Sequence, residues 1–197
     1  EEVTLPSKGL LYPEGSPLRS GKITMKYMTA REEDILTNQN LIQNGTVIDK
    51  LLQSLIVTPI DYSNLLIGDK NAILVAARIL GYGQDYTFKF TNPNTGEEEN
   101  VTVDLTKSND KEIDESIVTD GKNEFSFTLP TSKLLITFKF LSQGDENKIA
   151  NELKGLKKLN KNSSPELSTR MKHLITSVNG DYEKKTIREF VDGNFLA

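Results

Sequence analysis

YTFKFTNPNTGEEENVTVDL, residues 86–105, decides the fold class. Tyr86, Phe88 and Phe90 alternate with Thr87 and Lys89, and Val101, Val103 and Leu105 alternate with Thr102 and Asp104. A period of two puts like side chains on one face of a strand. Asn92-Pro93-Asn94-Thr95-Gly96 between the runs is turn chemistry, so the stretch predicts an antiparallel hairpin.

Towards the N-terminus the pattern changes to helices. Ala72 to Leu80 is apolar almost all round except Arg78, with Asp69 as N-cap and Gly81 and Gly83 to end it; such a helix should be the most buried one. Val47, Ile48, Leu51, Leu52 and Leu55 recur at helical spacing between the Asn44-Gly45 turn and Pro59. Lys22 to Met28 alternates as a half-buried strand, with Ile23, Met25 and Tyr27 on one side. Thr29-Ala30-Arg31-Glu32 then has the capping-box spacing and should open a short helix reaching about Leu36. Residues 3–21 hold three prolines and three glycines with no period, which predicts an extended arm with turns.

Towards the C-terminus, residues 106–123 are polar and acidic. Phe125, Phe127 and Leu129 predict a strand, and Leu134 to Leu141 another. Ser142 should cap a helix using Ile149, Leu153 and Leu156, and Asn160 to Ser164 reads as a polar linker. Ser164 then caps a helix with Pro165 at its first position, carrying a stripe of Leu167, Met171, Leu174, Ile175 and Val178 up to Asn179-Gly180. A last helix after Asp181 uses Ile187, Phe190 and Val191. The expected class is α+β: small antiparallel sheets or hairpins with packed helices. Three regions are expected, an N-terminal subdomain at 1–106, an acidic linker at 107–123 and a strand-plus-helices subdomain at 124–197. Val3-Thr4-Leu5-Pro6-Ser7 is echoed by Phe127-Thr128-Leu129-Pro130-Thr131, each before a strand and a capped helix. Two explanations stand, an ancient duplication into two related β-then-helix halves or the common grammar of such units.

Composition excludes several functions. With no cysteine among 197 residues, disulfides, thiolate metal sites and a cysteine nucleophile are impossible. A net charge of −4 argues against sequence-independent nucleic-acid binding. The cluster Lys154, Lys157, Lys158 and Lys161 is offset by Asp145, Glu146 and Glu152 and reads as a solvated helix face. No apolar run approaches a bilayer span, so no membrane partner is expected. The first residues, Glu1-Glu2-Val3, resemble no signal peptide, and without a starting Met the chain reads as a segment of a longer one. One histidine, His173, permits no paired-histidine metal site, and the acidic run Asp110, Glu112, Asp114, Glu115 lacks the glycine and closing glutamate of a calcium loop. No metal or cofactor is expected. The remote enzymatic alternative is a hydrolase using His173 with Ser177, four residues on along one helix face.

What remains is surface. Leu5, Pro6, Leu10, Leu11, Tyr12 and Pro13 lie on the arm, and apolar residues on an irregular arm pack on their own domain or on a partner. These six are the candidate partner-binding residues.

The run Leu5-Pro6-Ser7-Lys8-Gly9-Leu10-Leu11-Tyr12-Pro13, then Met28-Thr29-Ala30-Arg31-Glu32-Glu33-Asp34-Ile35-Leu36, resembles the opening of T4-type phage baseplate hub proteins. The resemblance continues through Asn44-Gly45, Leu65-Leu66 with Asp69, and Ala77-Arg78 to Gly81-Tyr82-Gly83, closing at Val103-Asp104-Leu105. In that family the hairpin can carry a Cys-x-x-Cys resembling a zinc knuckle, a place filled here by Asn92-Pro93-Asn94-Thr95. The resemblance implies a non-enzymatic role in assembling the hub of a contractile tail, with other baseplate hub proteins as partners. It implies a location in the host bacterial cytoplasm during assembly or in the virion tail baseplate. Two versions follow: a chaperone that leaves before the tail matures, favoured by the polar linkers and arm, or a permanent hub subunit.

Overall fold

The computed structural model describes residues 1–108, 111, 114–159 and 165–193. Asp110, Glu112, Lys161, the Asn160–Ser164 linker and the Ser164 cap lie outside them. The fold is α+β, with three small antiparallel sheets among helices. In chain order the elements are β1 (Glu2–Thr4), β2 (Lys22–Thr24), α1 (Ala30–Thr37), α2 (Gln39–Gln43), α3 (Val47–Leu55) and α4 (Ile67–Tyr82). Then follow β3 (Asp85–Thr91), β4 (Glu98–Asp104), β5 (Phe125–Thr128), β6 (Leu135–Phe138), α5 (Gln143–Leu159), α6 (Glu166–Leu174), β7 (Ile175–Val178) and α7 (Lys184–Gly193).

The chain forms two compact units from interlaced segments. Unit 1 is Glu1–Lys8, Ser20–Pro59 and Gly68–Ile113, and unit 2 is Gly9–Arg19, Ile60–Ile67 and Asp114–Ala197. These do not follow boundaries at 106 and 124. A reading along the chain assigns neighbours to one body, whereas two early segments complete the later unit.

In unit 1, β1 pairs with β2, and Met25 bridges to Ile56 after α3. Leu5, Ile23, Met25, Leu52, Leu55 and Ile73 are almost fully buried. Tyr27, grouped with Ile23 and Met25 by alternation, is 56% exposed, because the regular strand ends at Thr24. Gly21 has φ +70° and sits so close to Lys8 that a Cβ would meet its carbonyl at 2.7 Å; only glycine fits there. The α4 helix differs from expectation twice. It starts at Ile67, so Asp69 lies inside its first turn, buried, where it accepts the Ser7 amide (3.0 Å) and hydroxyl (2.7 Å). Only Asp69, Ile73 and Ala77 are buried along it, so its apolar surface is partly open. The expected hairpin forms from β3 and β4, with Tyr86 opposite Val103 and Phe88 opposite Val101, but every residue of β3 is exposed.

In unit 2, β5, β6 and β7 form a three-stranded sheet in that order. Ile136, Ile175, Val178, Ile187 and Phe190 make its core, with Met171 and Leu174 packed against it. The expected helix through Val178 instead stops at Leu174. Ile175-Thr176-Ser177-Val178 is rich in β-branched residues and adds to the open edge of β6. Leu167, placed on the buried stripe, is 73% exposed, and Pro165 is the N-cap of α6, one position outside its expected place.

The second half echoes the first over a strand and the start of a helix. Ile23-Thr24-Met25-Lys26-Tyr27-Met28-Thr29-x-x-Glu32 matches Ile136-Thr137-Phe138-Lys139-Phe140-Leu141-Ser142-x-x-Asp145. The backbone bonds match too: Leu5 N–H to Gly21 O (2.8 Å) with Leu129 N–H to Leu134 O (2.9 Å), and Lys26 N–H to Leu55 O (2.9 Å) with Lys139 N–H to Leu174 O (3.0 Å). The two halves thus share a strand-then-helix pattern in residue types and in long-range backbone bonds. From Leu5 to Gly21 is sixteen steps and from Leu129 to Leu134 five; the difference, eleven, is the length of Gly9–Arg19, the segment belonging to unit 2.

Candidate functional site

Each half is pinned by a carboxylate at the third position of a helix. Thr29 donates its amide (2.9 Å) and hydroxyl (2.5 Å) to Glu32 Oε2, closing the expected capping box. Lys26 Nζ (2.8 Å) and Ser54 Oγ (2.6 Å) both reach Glu32 Oε1. The Glu32 side chain is wholly buried, and the Lys26 contact, with Ser54 and Thr29, outweighs burial and holds its carboxyl well below the usual range. In unit 2, Ser142 N–H donates to Asp145 Oδ2 (3.1 Å), Asp145 N–H to Ser142 Oγ (3.3 Å), and Lys139 Nζ to Asp145 Oδ2 (2.8 Å). Burial pushes the Asp145 carboxyl up, but Lys139 and Ser142 pull it further down, so its net shift is downward.

Around the second of these, unit 2 opens a cleft of about 440 Å³. The Gly9–Arg19 segment forms one wall through Leu11, Tyr12, Pro13, Ser16, Pro17 and Leu18; Ile60, Asp61, Asn64 and Leu66 form another, with Asn123, Lys139, Ser142 and Asp145 beyond. The segment is firmly tied. Leu66 N–H donates to Tyr12 Oη (3.0 Å), Gly121 N–H to Leu10 O (2.7 Å), and Arg19 Nη1 to the carbonyls of Gly9 (3.3 Å) and Leu10 (3.2 Å) while Arg19 Nη2 pairs with Asp120.

The six candidate contact residues therefore part company. Leu5 (1% exposed), Leu11 (7%) and Tyr12 (3%) are buried in their own units, Pro6 and Leu10 are half-buried, and Pro13 is exposed. Leu11, Tyr12 and Pro13 line the cleft, whereas Leu5 and Pro6 belong to unit 1. Side chains already buried at home have little area left to offer. What the arm offers outward is Pro13, Pro17 and the cleft edge.

Missed from sequence was the aromatic face of unit 1. Tyr86 (44% exposed), Phe88 (38%) and Phe90 (44%) share one side of β3, and Val103 (40%) faces Tyr86 from β4. The alternation was legible; that no described residue would cover it was not. Also missed was the pairing of Lys26 with Glu32 and Lys139 with Asp145, although the repeated Ile-Thr-x-Lys spacing signals it.

The shared helix face that would set Ser177 beside His173 does not form. His173 lies in the last turn of α6 with Nε2 2.9 Å from Glu152, which also holds Arg188 (2.7 and 2.9 Å). Arg188, against the cost of burial and with help from His173, lowers the Glu152 carboxyl to about 2. Ser177 stands on β7, not on the helix, and its hydroxyl meets Thr137 Oγ1 at 2.5 Å. Among the described residues no group of three or more His, Asp or Glu is placed to hold a metal ion, and no helix is long and apolar enough to cross a membrane.

No curated protein and no solved structure matches the chain. A sequence profile does: residues 3–193, nearly the whole chain, match that of the T4 bacteriophage base plate protein, so the chain belongs to that family.

Proposed function

We propose that this baseplate protein is a non-enzymatic assembly factor that binds other subunits of the baseplate hub and promotes their assembly. Membership of the family makes other phage baseplate proteins its partners. The observation that supports a binding role is the quantity of apolar surface left open on a folded chain, with the proline-edged cleft of unit 2 as the first contact. Prolines 13 and 17 stiffen that edge and lower the entropy lost on docking. On this reading the protein acts in the host cytoplasm while tails are built.

A permanent hub subunit is the second reading, and one observation favours it: the Gly9–Arg19 segment is tied into unit 2 instead of hanging free to grasp and release. Co-expression with each hub protein of the same phage tests binding; at least one should co-purify through gel filtration, and failure with all of them would sink the proposal. Mass spectrometry of purified mature particles separates the two versions, since an assembly factor is missing from them and a subunit is present in stoichiometric amount.

A further inference from the structure

We infer that unit 1 carries a second docking surface, built for an apolar segment with basic flanks from another baseplate protein; this rests on the binding role just proposed. The surface begins at an apolar groove of about 160 Å³ lined by Met28, Leu36, Ile48, Leu51, Leu74 and Ala77. Arg78 and Tyr82 close its end. From there the Arg78 guanidinium lies 5.1 Å from the centroid of Tyr82 and 5.5 Å from that of Tyr86, and the Tyr86 and Phe88 rings are 5.8 Å apart. Groove and aromatic face are thus one surface, joined through a cation stacked on two rings.

The hairpin contributes to no repeated feature of the fold, and a two-stranded sheet with one apolar face is marginal in water. Its outer face of Tyr86, Phe88, Phe90 and Val103 exceeds what scattered surface residues explain. Charge identifies the occupant. Unit 1 carries ten basic and fourteen acidic side chains, the whole net charge of −4, while unit 2 has fourteen of each. Glu99 stands opposite Phe90 on the aromatic side of the hairpin, Glu97 is exposed beside it, and exposed Glu33 accepts the Tyr82 hydroxyl at 2.8 Å. Arg78, the cation within the surface, already donates to the carbonyls of Gly83 and Asp85. An apolar strip with acidic borders fits a partner whose apolar strip is bordered by Lys or Arg. A second copy would set acidic borders against each other, and nucleic acid would be repelled.

The test uses the full chain against each purified baseplate protein of the same phage, by biolayer interferometry across a salt series. Two double variants are compared, Glu97→Lys with Glu99→Lys, and Phe88→Ser with Phe90→Ser, each checked by thermal melting. For one baseplate protein the charge variant should raise Kd by about tenfold at low salt and less at high salt, and the serine variant by about tenfold throughout. Should the serine variant fail to fold, the charge variant and its salt dependence decide alone. A partner that binds wild type and variants within about twofold of each other overturns this surface while leaving the binding role intact. Absence of any baseplate partner for wild type overturns both. A wild-type dimer in analytical ultracentrifugation that the serine variant abolishes also overturns it, in favour of a second copy.

Discussion

The two halves hold the same Lys, hydroxyl and carboxylate, yet they are not equally committed. Glu32, with the longer side chain, is wholly buried and collects Lys26, Ser54 and both Thr29 donors. Asp145 keeps 8% of its side chain exposed, and its second cation, Lys148, stands at 3.9 Å. The difference teaches that a repeated motif conserves a connection, strand to helix, while its energetic weight follows burial. A buried carboxylate stripped of its place leaves its donors unsatisfied, and that cost grows as water is excluded.

The most severe way to break the comparison is to separate the halves. Residues 114–197 expressed alone should fail to give a cooperative thermal transition, because unit 2 then lacks Gly9–Arg19 and Ile60–Ile67, whereas residues 1–113, which hold all of unit 1, should keep one. A cooperative transition from the 114–197 fragment would show that the repeat, not the interlaced unit, is the folding element. Next, Glu32→Ala should cost about 4 kcal/mol and Asp145→Ala about 2 kcal/mol in urea unfolding. Equal costs would mean that burial does not set the weight.

Acid sharpens the same contrast more gently. Glu32, Asp145 and Glu152 all have folded-state values below their ordinary ones. Their stabilisation is therefore complete above the unfolded values near pH 4, and drains as pH falls through the folded ones. The urea midpoint should stay level from about pH 7 to 5 and fall steadily towards pH 2, and Glu32→Gln should flatten that fall more than Asp145→Asn. The smallest effect belongs to the hairpin. Tyr86→Ser, on a strand with every residue exposed, should alter stability by about 0.5 kcal/mol or less.

Local chemistry was legible in the sequence. The capping box at Thr29 and Glu32, the α3 stripe and the hairpin depend on local chemistry, and they stand where the residues placed them. Long-range decisions were not. Ile175 to Val178 satisfies a helical stripe as well as a strand, and only the open edge of β6 decides. Tyr12 looks like an exposed anchor until Leu66, far along the chain, donates to it. The family resemblance, carried in the sequence by residues of the first half, extends as a profile match through residue 193.

The interlacing of the units has a consequence for synthesis. A ribosome delivers Leu11, Tyr12, Leu18, Leu65 and Leu66 early, yet all five are buried in a unit whose remaining residues start at Asp114. At ~10 residues per second, Leu11, Tyr12 and Leu18 wait about ten seconds, and Leu65 and Leu66 about five, for the rest of their unit. The nascent chain is thus at its stickiest before Asp114 and the residues after it emerge, and the order of emergence, as much as final stability, sets how much of it escapes aggregation.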